Sequence, residues 1–397
     1  MWGVNSYGMP VVAVVGDGQL ARMMQTEAIE LGIETRVLAG APDESAAQVF
    51  GDVRIGDYTD LADLEAIAAG ADAVTFDHEH VPNEYAQTLI DDGITVEPRP
   101  GALIFAQDKL EQRRRLKDLG APVPEFAPIT STADAEAFWD QVDGAVCLKA
   151  TRGGYDGHGV WFPSSKSECS ELVADLLGRD VPLMAERKIA FDRELSAMVA
   201  RTRSGEVRAW PVVESQQENG ICRVAISPAP GLAPELEREC RELACRIAEE
   251  LDVTGVLAVE LFEAGGKVQV NELAMRPHNT GHWTQDGCVT SQFEQHLRAV
   301  LDWPLGSTEP TAPVTVMVNT LGGEQRPEMP VAARVAEVMR RYPQVKVHLY
   351  GKTYRAGRKM GHVNVTADTL EEALAVAEDA AEFLVNATWR DKRSEGE

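Results

Sequence analysis

Five consecutive apolar residues, Val11–Val15, run straight into Gly16-Asp17-Gly18, and beyond that turn Leu20, Met23, Met24, Ala28 and Leu31 recur at helical spacing. No other feature of the chain restricts its fold so sharply. A strand that is apolar at every position must be covered on both faces, the condition of a parallel sheet with helices on either side. Gly32 supplies a helix stop, and residues 33–38 read as the next strand. Short apolar cores at 53–55, 73–76 and 94–96, with an acidic helix over 61–69, continue the alternation. Residues 10–98 are therefore expected to form a doubly wound α/β domain.

At roughly 150 residues per domain, a chain of 397 has room for two or three. Pro98-Arg99-Pro100 interrupts the first pattern, a basic helix covers 109–119, and Pro122 and Pro124 mark a second boundary. Residues 123–188 alternate short strands and helix around a glycine-rich stretch, a size suited to a small lid. The expected division is an N-terminal α/β domain over 1–105, a central domain over 106–304 carrying the lid at 123–188, and a C-terminal α+β region over 305–397.

Lysine and arginine number 38 against 63 aspartates and glutamates, a net charge of −25 that repels nucleic acid and anionic membrane surfaces. No apolar run approaches the ~18 residues of a membrane span. Six scattered cysteines without a C-x-x-C indicate neither a zinc site nor a disulfide framework. Residues 1–9 lack a signal-like pattern, so a cytoplasmic protein with reduced thiols is expected.

Several motifs could carry chemistry. Gly16 to Ala21 fits G-x-G-x-x-A between a strand and a helix, but Leu38-Ala39-Gly40-Ala41 stands where a dinucleotide site needs an acid for the ribose. A nicotinamide cofactor is therefore disfavoured, and the turn is either steric or an amide contact to substrate. Thr75 to Val81 follows a strand at the carboxyl edge of the sheet, where α/β proteins place ligands, although a surface loop would also explain its charges. Lys149 precedes four glycines within seven residues, 153–159, an arrangement that lets backbone amides and one point charge close over phosphates, and no Walker A pattern occurs. In the hairpin of 256–262 and 268–272, a three-residue loop Gly265-Gly266-Lys267 pairs Ala264 with Val268 and Phe262 with Val270, placing Glu260 opposite Glu272 among apolar companions Val256, Ala258, Val268 and Val270. A two-residue turn would oppose Asn271 instead. Opposed β-carbons lie about 4.5–5.5 Å apart, and two carboxylates so placed call for a hard cation such as Mg²⁺. The loop 274–282 offers Arg276, His278 and Asn279 to a polar ligand, and residues 346–359 hold five basic residues and no acid, a local reversal suited to a monophosphate.

In this order the motifs resemble the ATP-grasp family and, within it, the N5-carboxyaminoimidazole ribonucleotide synthetases of purine biosynthesis. The similarity runs from about Val11 to Val365 and is carried by GQLARMM, GGYDGHG, RELSAMVAR, AVELF, NELAMRPHNTGHWT, SQFEQHLRA and YGKTYRAGRKMGH. Asp17 stands where a glycine is common, and Met275 where a proline is. The resemblance implies an α/β chain with the ATP-grasp fold, Lys109 and Lys149 on the ATP phosphates, and Gly154, Tyr155, Asp156, Gly157, His158 and Gly159 as the lid loop. It implies Glu186, Arg187, Lys188 and Ile189 around adenine, Glu194 on the ribose, Gln217 where a histidine often approaches the nucleotide, and Glu260 and Glu272 as Mg²⁺ ligands beside Asn271. Around aminoimidazole ribonucleotide it implies Gly18, Gln19, Leu20, Glu79, His80, Tyr155, Asp156, Arg276, His278, Asn279, Lys352, Arg358 and Lys359, with Asp156, Arg276 and His278 nearest the chemistry. The implied reaction consumes ATP and bicarbonate by way of carboxyphosphate, in a homodimeric enzyme. Another ATP-grasp ligase, such as a formate-dependent ribonucleotide transformylase, would share much of this pattern. A non-catalytic ATP sensor would have no need of both Glu260 and Glu272.

Overall fold

The computed structural model describes residues 7–153, 159–218 and 220–390. Its first part is built on β1 (Val11–Val15), α1 (Gln19–Leu31), β2 (Glu34–Ala39), β3 (Asp52–Ile55), α2 (Leu61–Ala68), β4 (Ala73–Phe76) and α3 (Asn83–Asp91). The strands form a parallel sheet in the order β3-β2-β1-β4, and β1 is buried at all five positions, as an uninterrupted apolar run requires. Gly32 ends α1 in the left-handed region at φ 71°. Residues 94–96, expected as a strand, contribute only the single bridge Val74–Val96. Pro98 and Pro100 follow too closely and lack the amide donors a longer ladder would need.

Two helices, α4 (Pro100–Gln107) and α5 (Lys109–Asp118), lead out of this layer. Asp108 accepts from the amides of Leu110 and Glu111, so α5 begins at Lys109. The next strands, β5 (Phe126–Ile129), β6 (Val146–Ala150), β7 (Val160–Trp161) and β8 (Leu183–Arg187), make a small antiparallel sheet in the order β5-β8-β6-β7. Helices α6 (Thr132–Gln141) and α7 (Lys166–Gly178) pack on it through Phe138, Cys169 and Val173.

The remaining strands are β9 (Arg193–Arg201), β10 (Val207–Ala209), β11 (Val213–Glu218), β12 (Ile221–Ser227), β13 (Gly255–Ala264), β14 (Lys267–Ala274), β15 (Val314–Leu321), β16 (Lys346–Leu349) and β17 (Lys359–Ala367). They form one sheet in the order β14-β13-β9-β11-β12-β15-β17-β16, with β10 beside β9. Because β15 pairs with β12, the C-terminal strands prolong the central sheet instead of closing one of their own. Helix α8 (Pro234–Glu250) covers one part of the sheet, and α9 (Thr284–Gly287) and α10 (Gln292–Val300) follow the loop after β14. Helices α11 (Val331–Arg341) and α12 (Leu370–Asn386) complete the chain, α12 packing on Val316, Val318, Val363 and Val365. Among the described residues no helix is long and apolar enough to cross a membrane.

The hairpin β13–β14 corrects one expectation in detail. Its turn has two residues, Gly265-Gly266, with Ala264 opposite Lys267 and Leu261 opposite Val270, so the register near the turn is not the one expected. A bulge at Asn271 then absorbs one residue, and Glu260 does face Glu272. The bulge also reverses the alternation. Val268 and Val270 join Leu273 and Met275 in the core under α8, on the face opposite the two glutamates, so only Val256 and Ala258 of the expected companions share the glutamates' face.

Candidate active site

The glycine turn after β1 is occupied by the protein itself. Gly16 has φ 109°, and a Cβ placed on it would fall 1.9 Å from Asp77 Oδ1, so no other residue fits. Asp77 follows β4 directly and its Oδ2 accepts from the Gly18 amide at 2.6 Å. Burial raises its carboxyl to about 7. The anion site at the start of α1 thus holds a side-chain carboxyl where a dinucleotide fold would hold phosphate. Asp17 Oδ2 accepts from the Gly40 amide at 2.7 Å, which gives its carboxylate a structural use in place of the common glycine.

A cavity of about 1650 Å³ separates this edge from the small antiparallel sheet and the large sheet. A single drug-sized ligand fills about 300–1,000 Å³, so there is space for two. At one end lie Lys149, from β6, and Lys109, the first residue of α5. Lys149 Nζ is 2.8 Å from Glu186 Oε2, and Arg113 Nε is 2.5 Å from Glu186 Oε1. Burial alone would raise the Glu186 carboxyl, but Arg113 and Lys149 together hold it down to about 2. Arg113 also donates to the backbone carbonyl of Asn271, tying α5 to both β8 and the bulge. Nothing in the basic run of α5 distinguishes this buried arginine from the exposed Arg114 and the half-buried Arg115, so no signal in the sequence marks it.

Glu272 accepts from Lys109, while Glu260 has His278 Nε2 at 3.3 Å and Asn271 Nδ2 at 3.4 Å. Burial and then Glu272 push the Glu260 carboxyl up to about 8. Enclosure works the same way on Glu272, yet Lys109 keeps it below the ordinary carboxylate value. A dication would relieve this opposed pair, and two carboxylates leave its other positions to phosphate oxygens, the usual Mg²⁺ arrangement. The residues present fit the ion. Toward the outer wall, Phe191 stacks on Phe262 at 4.7 Å and Lys188 lies over Phe162 at 5.0 Å, aromatic walls that no motif announced. Glu194, paired with Phe262 across β9 and β13, is raised to about 7 by burial.

At the other end Lys352 and Lys359 face Arg276 and His278. Lys352 donates to Gln19 Oε1, and burial and Arg358 lower its ammonium to about 8. Glu79 uses both carboxylate oxygens on the loop after β14, Oε2 to Arg276 Nε at 2.8 Å and Oε1 to the Met275 amide at 3.2 Å. From the cavity wall it thereby fixes Arg276 and the backbone of that loop. His278 is pushed down to about 3 by burial and by Arg276, so its imidazole is neutral.

The cavity wall gathers Gly18, Gln19, Leu20, Glu79, His80, Lys109, Lys149, Glu186 to Ile189, Glu194, Gln217, Glu260, Asn271, Glu272, Arg276, His278, Asn279, Lys352 and Lys359. Within that set two groups are already engaged by the protein: the Gly18 amide by Asp77, and the Glu186 carboxylate by Arg113 and Lys149. Gly159 and Arg358 do not line it. Arg358 turns to Thr353 and lies 3.9 Å from Glu44, because the loop 351–358 presents Lys352 inward in its place. The expectations for Gly154, Tyr155, Asp156, Gly157 and His158 lie outside the described residues.

Three family models cover most of the chain: a ribonucleotide synthetase preATP-grasp domain over residues 9–107, an ATP-grasp domain over 114–293 and a phosphoribosylaminoimidazole carboxylase C-terminal domain over 315–376. N5-carboxyaminoimidazole ribonucleotide synthase from Corynebacterium ammoniagenes is 59% identical over 392 residues, which are 98% of this chain and 95% of that protein. The chain belongs to the N5-carboxyaminoimidazole ribonucleotide synthase family. The synthetase of Thermus thermophilus superposes with a TM-score of 0.84 at 36% identity, covering 96% of this chain and 100% of that one. The Aspergillus clavatus synthase, solved in complex with ADP and 5-aminoimidazole ribonucleotide, gives 0.85 at 31% identity, with 95% and 98% covered. The α/β ATP-grasp architecture read from the sequence is that of this synthase family.

Proposed function

We propose that this chain carboxylates 5-aminoimidazole ribonucleotide on its exocyclic amine, consuming ATP and bicarbonate and releasing ADP, phosphate and N5-carboxyaminoimidazole ribonucleotide. The observation that carries the reading is one cavity with two cationic ends, Lys109 with Lys149 and Lys352 with Lys359, meeting at the Glu260–Glu272 pair. In a chain of net charge −25 such ends concentrate anions.

Lys109 and Lys149 hold and neutralise the phosphates of ATP, and Glu260 and Glu272 hold Mg²⁺, which when bound offsets charge on the transferring phosphoryl group. A bicarbonate oxygen attacks the γ-phosphorus, the bond to ADP breaks, and carboxyphosphate results. The amine nitrogen then attacks the carboxyl carbon, or CO₂ released from it, phosphate leaves, and the nitrogen gives up a proton. Arg276, fixed by Glu79, faces the carboxyl oxygens. Asn279 Oδ1, buried with no partner among the described residues, is placed to accept from the amine and orient it. Asp156 is proposed to receive the proton, and Lys352 and Lys359 to hold the 5′-phosphate.

Release of ADP that requires both bicarbonate and the ribonucleotide tests this reading. Turnover sustained by formate in place of bicarbonate would point to a transformylase. Binding of ATP with no release of ADP would point to a sensor.

Lys352 offers a finer check. Lys352→Gln removes one charge-assisted contact worth about 1.5–3 kcal/mol, so kcat/KM for the ribonucleotide should fall by roughly 10- to 150-fold with the KM for ATP unchanged. Arg358→Gln should do much less. In the unaltered protein the protonated, low-pH form of Lys352 binds phosphate, so kcat/KM for the ribonucleotide should decline as pH rises through about 8. That limb should be missing in Lys352→Gln.

A further inference from the structure

Lys352 reaches Gln19 from a stretch of backbone that the N-terminal layer grips just before it. Ser45 Oγ donates to the Tyr350 carbonyl at 2.6 Å, and Gln48 Nε2 donates to the Gly351 and Asp43 carbonyls, each at 2.8 Å. Arg22 Nη1 braces the contact, donating to the Ser45 carbonyl at 2.8 Å and to Gln48 Oε1 at 3.4 Å. From the other side Tyr350 is fixed by β17. Its amide donates to the Met360 carbonyl at 3.0 Å, and its hydroxyl lies 2.8 Å from His362 Nδ1. Gly351 has φ 67°, and a Cβ there would fall 2.3 Å from Gln48 Oε1, so the grip calls for glycine.

Ser45, Gln48, Tyr350 and Gly351 all stand outside the cavity wall, and the next residue, Lys352, lines it. Two carbonyls held in succession fix two planar peptide units, and with them the direction in which the chain enters residue 352. The brace is also tied to the target. Gln19 and Arg22 lie one turn apart on α1, so the residue that receives Lys352 and the residue that supports the loop belong to one rigid element. We propose that the loop 43–48 is a positioning clamp for the ribonucleotide, Ser45 and Gln48 holding the Tyr350 and Gly351 carbonyls so that Lys352 stands at the phosphate end of the cavity. This inference rests on the reading above in which Lys352 takes the 5′-phosphate. It adds two positioning residues from a different layer of the fold than the lysine they serve.

Ser45→Ala with Gln48→Ala removes both bonds. Gln48 is exposed whereas Ser45 is buried, so Gln48→Ala alone keeps the test open if the double variant melts early. Initial rates should show kcat/KM for the ribonucleotide lowered roughly 2- to 12-fold in the single variant and roughly 5- to 150-fold in the double, with the KM for ATP unchanged. The pH profile separates positioning from general loosening. Lys352, facing Asp77, Glu44, Arg358 and Lys359, is lowered chiefly by burial, and an ammonium released into water regains its charged form. The decline in kcat/KM through about pH 8 should therefore move to higher pH in the variants. In a Lys352→Gln background the same changes should cost nothing further, because the clamp acts through that lysine. The proposal is overturned by unchanged ribonucleotide kinetics, by an equal loss for ATP, by a fall that leaves the pH limb in place, or by a full second loss on top of Lys352→Gln. Failure of the underlying reading looks different: Lys352→Gln by itself would leave ribonucleotide use intact, and the phosphate assignment would fall first, taking the clamp's purpose with it.

Discussion

Glu272→Gln should lower turnover by about 10²–10³-fold, the scale on which removal of one preorganised electrostatic group acts, while the thermal midpoint stays within a few degrees. The size and the acceptor oxygen remain, and the charge alone is lost. That charge has two tasks in the structure: it receives Lys109 and it faces Glu260 across the hairpin. Without it, Lys109 loses the partner that places it and the proposed Mg²⁺ site loses one of its two carboxylate charges. Initial rates of ADP release over a Mg²⁺ titration, beside a circular-dichroism melt, measure both quantities. Near-normal turnover at ordinary Mg²⁺ concentrations would remove Glu272 from the phosphate site.

Glu186→Gln should act mainly on stability. Arg113 and Glu186 are almost wholly buried, at 1% and 3% exposure, and Lys149 shares the same carboxylate. Removing one partner of a buried ion pair leaves an uncompensated charge at a cost of about 3–5 kcal/mol. At about 2–4 °C per kcal/mol for parts of this size, the melting temperature should drop by roughly 6–20 °C. The pH dependence follows from the same carboxyl. It titrates at about 2 in the folded chain against an ordinary 4.5, so its stabilisation is present above the ordinary value and is lost as pH falls from there toward 2. Melts between pH 7 and pH 3 should show that loss in the unaltered protein and a flatter profile in Glu186→Gln. A midpoint that does not move would mean that Arg113 finds compensation elsewhere.

Much of this was legible in the chain because burial on both faces leaves a pattern in one strand. The run Val11–Val15 announced the parallel sheet, Gly32 the end of α1, and the Glu260–Glu272 opposition could be read from the hairpin, since strand alternation is a local property. The path to that opposition was misread. A bulge costs a single residue and has no compositional mark, so the two-residue turn and the extra Asn271 compensated each other invisibly. Arg113, Phe162 and Phe191 were missed for a related reason: their meaning depends on what faces them from distant segments.

What the sequence by itself determined is the set of elements and the chemical inventory: an α/β layer, a small strand-and-helix unit after Pro124, a hairpin with two acids, and two groups of basic residues. Only the tertiary structure decided how the inventory is used. It gave the glycine turn to Asp77, the Glu186 carboxylate to Arg113 and Lys149, and Glu79 to Arg276, and it turned Arg358 away from the cavity while Lys352 faces in. The physical reason is that a charged or polar group inside a fold must be satisfied, and which partner satisfies it is settled by packing between segments far apart in the chain. Local sequence carries the period of a strand or helix. It carries no record of which carboxylate the fold will bring to which cation.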